Sequence, residues 1–375
     1  MQASGSSAPE SEQENELVLR HVRDADSQRR LDDVMHTDRQ RVFWQRPLQS
    51  LAVIHWALAP FACLFVFFML CSIPLLWPVI VPYLIWVFFI DKAPVNGTRR
   101  SDFLRRSIVF RWIAEYFPVT LVKTAELPAD RKYVLGYHPH GIVGMGAVNS
   151  FASEAQSVSE KFPGVRLHLL TLHSNFSMPL YRDYLMALGL CSVSRRSCES
   201  ILRKGPGNGI VIVVGGAQES LFAHPGHLDL TLRRRMGFVK VAINQGADLV
   251  PVLGFGENEI FRQASNDEDT WLFRLQQLVK QLCGFTVPVI FGRGFSHRSF
   301  GLMPYMRPIH VVVGKPVHVV QSDNPTEAQL KETHGRYVES LVEYGRRRTL
   351  LTPRVWDRYK DEFSPLRFSE LRIVD

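Results

Sequence analysis

The sequence of 375 residues holds only five cysteines, and no two of them form a Cys-x-x-Cys pair. A zinc site usually shows closely spaced cysteines, and a disulfide scaffold usually has an even number of them. Neither kind of site is therefore predicted. The scattered thiols favour a protein that faces a reducing compartment. The N-terminal 46 residues are polar and charged, so we expect no cleavable signal peptide.

Sequence motifs of several enzyme classes are also missing. The chain has no G-x-S-x-G elbow, which disfavours a serine hydrolase of the lipase type. It has no P-loop and no G-x-G-x-x-G after a first strand, which disfavours nucleotide hydrolysis and dinucleotide binding. No nucleic-acid module is recognisable, and no nucleic-acid partner is expected. A His-x-His pair can be half of a metal site, but no acidic or His-rich partner segment accompanies it, so no metal is predicted.

Charged residues are absent between Arg46 and Asp91, a stretch longer than the roughly 20 residues of one membrane span. Prolines interrupt it near the middle. We predict a helix over about 51–70, a proline-broken turn and a second apolar segment that ends at Ile90. Basic residues flank both sides, so both ends of this membrane hairpin are expected in the cytosol. The disfavoured alternative is a buried hairpin of a soluble protein, because soluble helices almost always carry charge on one face.

The composition divides the chain into four consecutive parts, namely a polar tail over 1–46, the membrane hairpin over 47–91, a basic amphipathic segment over 92–130 and a cytosolic domain over 131–375. The tail is predicted to be disordered, with a short solvated helix near Leu17–Met35. The basic segment is predicted to form a helix that ends at Pro118, with Arg105 on its cationic face, either on a membrane surface or packed on the domain. The formal net charge of +8 favours a partner rich in phosphate, such as an anionic membrane or a coenzyme.

From about residue 131 onward, apolar runs of strand length alternate with helical stretches. The runs are YVLGY at 133–137, HLLTL at 168–172, GIVIVV at 209–214, DLVPVLGF at 248–255, VPVIFG at 287–292 and HVVVG at 310–314. This alternation predicts an α/β fold with a mostly parallel sheet and helices on both faces. The near-continuous valine and isoleucine content favours strands buried on both sides. A helix near 327–347 is expected to cap the domain.

The strand YVLGY runs into a His-Pro-His-Gly turn formed by His138, Pro139, His140 and Gly141. Loops at strand ends carry the chemistry of α/β proteins, and imidazole is the side chain best suited to proton transfer near neutral pH. For either histidine alone, a surface position is the better explanation. The turn as a whole, set among four glycines, favours a functional site.

Two further features follow strand-like runs. Gly215, Gly216 and Glu219 come after GIVIVV, and the carboxylate can pair with an imidazole from a neighbouring strand or simply stabilise a helix N-terminus. A set of basic residues lies at element boundaries and is predicted to bind phosphate, namely Arg195, Arg233, Arg234, Arg235 and Lys240. Taken with the hairpin, these residues favour a phosphate-bearing coenzyme as a partner.

From about residue 115 to 316, the sequence resembles the type 2 diacylglycerol acyltransferases and their monoacylglycerol and wax-alcohol relatives. The similar motifs are EYFPVTLVKT, YHPHGIVGMGA, KFPG, TLHSNF, VIVVGGAQESL, GFVKVAINQGADLVPVLGFGENE, FGRGF and VVVGKPV. The resemblance implies an enzyme of the endoplasmic-reticulum membrane, with the lipid-droplet surface as a second location, and with a glycerolipid acyltransferase-like α/β domain. It implies transfer of a fatty acyl group from acyl-coenzyme A, bound as a substrate and with no resident cofactor, to a neutral lipid alcohol.

The chain departs from the more distant glycerolipid acyltransferases in lacking a His-x4-Asp pair, because the residues five beyond His138 and His140 are Val143 and Met145. Under the resemblance, His140 is the expected general base and Glu219 the acid that orients it. His138 shapes the turn or contacts the acyl carbonyl, and which histidine is the base stays open. Main-chain N–H groups around Gly141 or Gly216 are candidate oxyanion donors.

The family's basic-Gly-Phe pattern is usually Arg-Lys-Gly-Phe, whereas this chain has Arg235-Met236-Gly237-Phe238, so one coenzyme contact is lost or moved to Arg233 or Arg234. Three hypotheses remain: a diacylglycerol acyltransferase, an enzyme of the same class that acts on monoacylglycerol or a long-chain alcohol, and a non-catalytic membrane or lipid-droplet protein. The oligomeric state is open, with a homo-oligomer as one option.

Overall fold

The computed structural model describes residues 45–221, 223–263, 288–294, 300–346 and 371–374, and the single positions 274, 276 and 278. The chain divides into two units, Met1–Gln49 and Ser50–Asp375, and the second contains the sheet and the candidate site. The predicted disordered tail, including the helix near Leu17–Met35, lies outside the described residues apart from positions 45 and 46.

A seven-stranded mixed sheet forms the centre of the second unit, with the strand order β1-β11-β7-β2-β5-β3-β4. Its members are β1 Val119–Lys123, β2 Tyr133–His138, β3 Arg166–Thr171, β4 Cys191–Ser192, β5 Asn208–Val213, β7 Asp248–Phe255 and β11 Ile309–Val313. The five strands from β7 to β4 are mutually parallel, whereas β11 is antiparallel to β7 and parallel to β1. The predicted α/β fold with a mostly parallel sheet is confirmed.

The central strands are apolar along their whole length because both faces of the sheet are covered. All six residues of β2 are buried, and so are seven of the eight residues of β7. Neighbouring residues of β2 point to opposite faces, so Val134 belongs to one hydrophobic core and Leu135 to the other. This double burial explains why the sequence shows continuous apolar runs rather than alternation.

Helices cover both faces of the sheet and link its strands. They are α3 Ala93–Asn96, α4 Asp102–Arg105, α5 Ile108–Tyr116, α6 Met145–Ala147, α7 Val158–Lys161, α8 Tyr181–Ala187, α9 Arg195–Leu202, α10 Gly216–Ser220, α11 Gly237–Gln245 and α12 Glu327–Arg346. The long α12 is the predicted capping helix, and its Tyr337 is buried in the core against β2.

Five of the six predicted strands lie in the large sheet, but the run at 287–292 does not. Its strand β9, Ile290–Arg293, pairs with β8 Arg262–Gln263 and β10 Phe300–Gly301 in a separate sheet. A small sheet of β6 Asp229–Thr231 and β12 Arg372–Val374 was also not predicted. Short strands of this kind carry too few apolar residues to be recognised by pattern alone.

The basic segment before residue 131 differs from the predicted single helix. It forms α4 and α5 and then β1, which follows Pro118 and joins the edge of the large sheet. Arg105 is buried rather than exposed on a cationic face, because its guanidinium donates to the carbonyl oxygens of Leu188 and Phe151 and to the carboxylate of Glu154. The sheet therefore begins earlier in the chain than the predicted start of the domain.

The uncharged stretch forms two helical segments joined by a proline-containing turn, as predicted. Helix α1 spans Gln45–Cys71 and is the one helix among the described residues that is long and apolar enough to cross a membrane. A 3-10 turn, Pro74–Leu76, leads into α2, Trp77–Ile85, and a π turn ends the segment at Ile90. Large apolar side chains of this hairpin are exposed, among them Phe61 and Phe89, which indicates membrane association.

Candidate active site

The His-Pro-His-Gly turn leaves the carboxyl end of β2, between the ends of β5 and β7. His138 is fully buried, and the hydroxyl of Tyr337 lies 2.9 Å from its Nε2. That hydroxyl donates its own proton to the carbonyl oxygen of Gly136, so Nε2 of His138 must carry the hydrogen in their bond. Desolvation lowers the pKa of His138 to about 3, which keeps the ring neutral. His138 therefore acts as a fixed, neutral part of the core.

His140 has the protonation pattern that a general base requires. Its Nδ1 lies 3.0 Å from the carbonyl oxygen of Gly141. A carbonyl oxygen only accepts, so Nδ1 must carry the hydrogen and Nε2 keeps its lone pair. Desolvation lowers the pKa of His140 below its ordinary value of 6.5, so the ring is neutral at pH 7.

Glu219 supports His140 through the main chain rather than through the imidazole. Its buried carboxylate accepts a hydrogen bond from the N–H of His140 at 2.6 Å and one from the N–H of Thr231 at 3.0 Å. The expected contact between this carboxylate and the ring of His140 is not found. Burial raises the pKa of Glu219 to about 7, against the opposing effects of these two N–H donors and of Arg235. Glu219 thus fixes the position of the residue that carries the imidazole.

Glu257 is a second buried carboxylate beneath the same loop, and the sequence reasoning did not single it out. It accepts hydrogen bonds from the hydroxyl of Tyr137 at 2.7 Å, the N–H of Met145 at 2.6 Å and the N–H of Gly146 at 2.8 Å. Burial raises its pKa to about 7. Glu219 therefore holds the start of the segment 140–146 and Glu257 holds its end.

Two glycines make room for these carboxylates. Gly141 has a φ of +59°, and a Cβ there would lie 2.6 Å from Cγ of Glu257. A Cβ at Gly215 would collide with the carboxylate of Glu219. Gly141 and Gly215 thus allow the side chains of Glu257 and Glu219 to come close to the main chain.

A cavity of about 340 Å³ is lined in part by His140, and we call it the His140 cavity. Its walls are mostly apolar and come from several elements, including Trp56 of α1, Ile142, Leu185 of α8 and Gly216. Pro139 lies elsewhere, because it lines a small hollow with Gly256 and Glu257. The long apolar helix α1 therefore contributes directly to the wall of the cavity that His140 lines.

Most of the predicted phosphate-binding residues share a second cavity, here called the cationic cavity. It has a volume of about 500 Å³ and is lined by Arg195, Arg234, Arg235 and Lys240, but not by Arg233. Val193 lines both this cavity and the His140 cavity. The two cavities are therefore neighbours, one apolar and one strongly basic.

Comparison with known proteins identifies the family of the chain. The family model for diacylglycerol acyltransferase matches residues 67–350. The chain belongs to the diacylglycerol acyltransferase family. Diacylglycerol O-acyltransferase 2B of Umbelopsis ramanniana is 45% identical over 335 residues, which cover 88% of this chain and 92% of that protein.

A second relative represents another branch of the family. The 2-acylglycerol O-acyltransferase 1 of Bos taurus is 44% identical over 303 residues, covering 79% of this chain and 90% of that protein. Among solved structures, the 1-acyl-sn-glycerophosphate acyltransferase PlsC from Thermotoga maritima aligns with a TM-score of 0.36 and 11% identity, over 78% of this chain and 99% of that one. The resemblance read from the sequence motifs is confirmed by the family model and the relatives.

Within this member of the diacylglycerol acyltransferase family, the departure from the Arg-Lys-Gly-Phe pattern falls at the start of α11. Met236 is the N-cap of that helix and does not line the cationic cavity, whereas Arg234 and Arg235 do. Arg235 also donates to the carbonyl oxygen of Gly215 at 3.3 Å, which links the basic residues to the strand end before Glu219.

Proposed function

We propose that this protein transfers a fatty acyl group from acyl-coenzyme A to the free hydroxyl of diacylglycerol, forming triacylglycerol. The observation that carries the proposal is His140, a neutral imidazole with an unprotonated Nε2 in the wall of an apolar cavity beside a basic one. The apolar cavity suits lipid chains, and the basic cavity suits the phosphates of the coenzyme. Acyl-coenzyme A acts as a substrate, and the reaction uses no resident cofactor.

The proposed reaction begins with proton removal by Nε2 of His140 from the lipid hydroxyl. The hydroxyl oxygen attacks the thioester carbonyl carbon, and a tetrahedral intermediate forms. N–H groups of Gly141 or Gly216 are the candidate donors to its oxyanion. Collapse of the intermediate breaks the C–S bond, and the departing thiolate recovers the proton from His140. No covalent acyl-enzyme is needed.

The hairpin supplies the route by which both lipids reach His140, since Trp56 of α1 lines the same cavity. The endoplasmic-reticulum membrane, with both ends of the hairpin cytosolic, is the proposed location, and the lipid-droplet surface is a second one. The basic residues that flank the uncharged stretch support this orientation. Residues 131–375 would then face the cytosol, where acyl-coenzyme A is available.

An acceptor assay tests the proposed reaction. Membranes that contain the protein are supplied with labelled long-chain acyl-coenzyme A and, separately, with diacylglycerol, monoacylglycerol or a fatty alcohol. We expect labelled triacylglycerol as the main product. Preferred acylation of monoacylglycerol would move the protein to the branch of its 2-acylglycerol O-acyltransferase relative, and no transfer to any acceptor would favour the non-catalytic hypothesis.

The cationic cavity gives a second prediction about the donor. Removing two of its charges in the double variant Arg234→Gln/Lys240→Gln is expected to raise the KM for acyl-coenzyme A about tenfold, because charge-assisted contacts to phosphate are lost. The kcat is expected to change little, since neither side chain lines the His140 cavity. The matched control is Arg166→Gln/Lys331→Gln, which removes two charges from exposed positions on β3 and α12. An unchanged KM in the first variant would exclude this cavity as the coenzyme site.

A further inference from the structure

A third cavity, of about 650 Å³, lies where the hydrophobic hairpin ends, and we call it the Lys92 cavity. Lys92 is the second residue after Ile90, the last apolar residue of the hairpin. Lys92, Val95 and Asn96 form one side of the cavity. The other side comes from α9 and is lined by Arg195, Arg196, Glu199, Ser200 and Arg203.

Two hydrogen bonds hold the two sides of the cavity together. The fully buried Ser197 of α9 donates to the carbonyl oxygen of Val95 at 3.0 Å. Lys204, just beyond α9, donates to the carbonyl oxygen of Asn96. Since α3 directly follows the hairpin, these contacts fix the cavity at the level where the chain leaves the apolar segment.

The charges of the cavity are unbalanced. Four cations line it, and Glu199 is its one acidic residue. The Glu199 carboxylate accepts from Arg195 at 2.7 Å and from Arg203 at 2.9 Å, which orients both guanidinium groups. Lys92 and Arg196 are exposed, and within the described part of the chain neither side chain has an ion pair or hydrogen bond. The cavity therefore has excess positive charge, which Lys92 and Arg196 present to solvent.

We propose that the Lys92 cavity binds a phosphate ester group at the membrane surface. Basic residues next to the end of an apolar hairpin lie at the level of the lipid phosphates, and they are attracted to anionic lipid. Two sources share this chemistry: the headgroup of an acidic phospholipid and the 3′-phosphate of the coenzyme. The coenzyme is included as a source because Arg195 lines both this cavity and the cationic cavity. This second source rests on the proposed function.

Binding to the purified full chain in phosphatidylcholine nanodiscs tests the proposal without requiring acyl transfer. The probes are dioctanoyl phosphatidic acid for the lipid source and adenosine 3′,5′-bisphosphate for the coenzyme source, with Kd measured by calorimetry. The variant Lys92→Gln/Arg196→Gln is expected to weaken the binding of one or both probes by about tenfold, since two phosphate contacts are removed. The affinity of the wild type is expected to fall as salt is raised.

The pattern of losses identifies the source of the phosphate. Loss confined to phosphatidic acid assigns the site to a lipid headgroup, and loss confined to the bisphosphate assigns it to the coenzyme. The control Arg166→Gln/Lys331→Gln has the same net charge and should bind both probes as the wild type does. The proposal is overturned if the wild type binds neither probe, if the cavity variant keeps both affinities, or if the control weakens binding equally.

Discussion

Replacing His140 with asparagine is expected to lower the rate of acyl transfer by about 10²- to 10⁴-fold, the range that a positioned general base contributes. The asparagine amide can still donate to the carbonyl oxygen of Gly141, as Nδ1 of His140 does, so the turn keeps its hydrogen bond. The nitrogen lost is Nε2, the one with the free lone pair. The rate is measured in isolated membranes with labelled acyl-coenzyme A and diacylglycerol.

The matched control is His227→Asn, which changes an exposed imidazole outside the His140 cavity and should keep full activity. Because burial lowers the pKa of His140 below 6.5, the acid limb of kcat/KM against pH is expected below pH 6.5. Activity within a few-fold of wild type in His140→Asn would assign the base to another group. An acid limb well above pH 6.5 would contradict the lowered pKa of His140.

The strands that build the site could be predicted because their burial is continuous. Both β2 and β7 are covered on two faces, which leaves an unbroken apolar run in the sequence. The edge strand β1 was missed because only two of its five residues are buried, so it leaves no long apolar run, and because it follows a helix and a proline. Its place depends on pairing with β11, 190 residues later, and pairing over such a separation leaves no local pattern.

The residues of the site could be found from local sequence patterns, but their contacts with distant parts of the chain could not. Glycine-flanked strand ends pointed to His140 and Glu219, and the structure brings the two together. The mode of contact was not predictable, because the carboxylate binds a main-chain N–H, and every residue has one. Glu257 also follows glycines, at the end of the strand next to β2, so the rule that found Glu219 applied to it as well. Its partners lie more than 110 residues earlier in the chain, which is why only the folded structure reveals its role.

Replacing Glu257 with leucine is expected to destabilise the protein by more than about 3 kcal/mol, because each buried donor left without an acceptor costs about 1–3 kcal/mol. Three donors lose their partner: the hydroxyl of Tyr137 and the N–H groups of Met145 and Gly146. Glu257→Gln is expected to have a smaller effect. The amide oxygen of glutamine can still accept a hydrogen bond, whereas its NH₂ group faces a donor and cannot accept from it. Stability is measured by thermal unfolding in detergent.

The pH dependence of this loss has a defined sign. Burial raises the pKa of Glu257 from its ordinary 4.5 to about 7, so between these values the folded protein holds a proton that the unfolded chain has released. The folded state is therefore favoured more at low pH, and the contribution is lost as the pH rises through 7. The stability difference between wild type and Glu257→Leu should accordingly be larger at pH 5 than at pH 8. A constant or opposite difference would mean that Glu257 is ionised throughout.

Measuring kcat shows whether Glu257 positions His140 or only stabilises the fold. Glu257 holds only the end of the segment 140–146, while Glu219 still holds the N–H of His140, so Glu257→Gln is expected to lower kcat with little change in the KM for acyl-coenzyme A. The control Glu259→Gln changes a carboxylate two residues along the same turn that accepts from the N–H of Gly226 instead. If both variants lose stability but only Glu257→Gln loses kcat at a temperature where each is folded, the two ends of the segment act together to aim the imidazole. Equal kcat values would limit Glu257 to supporting the fold.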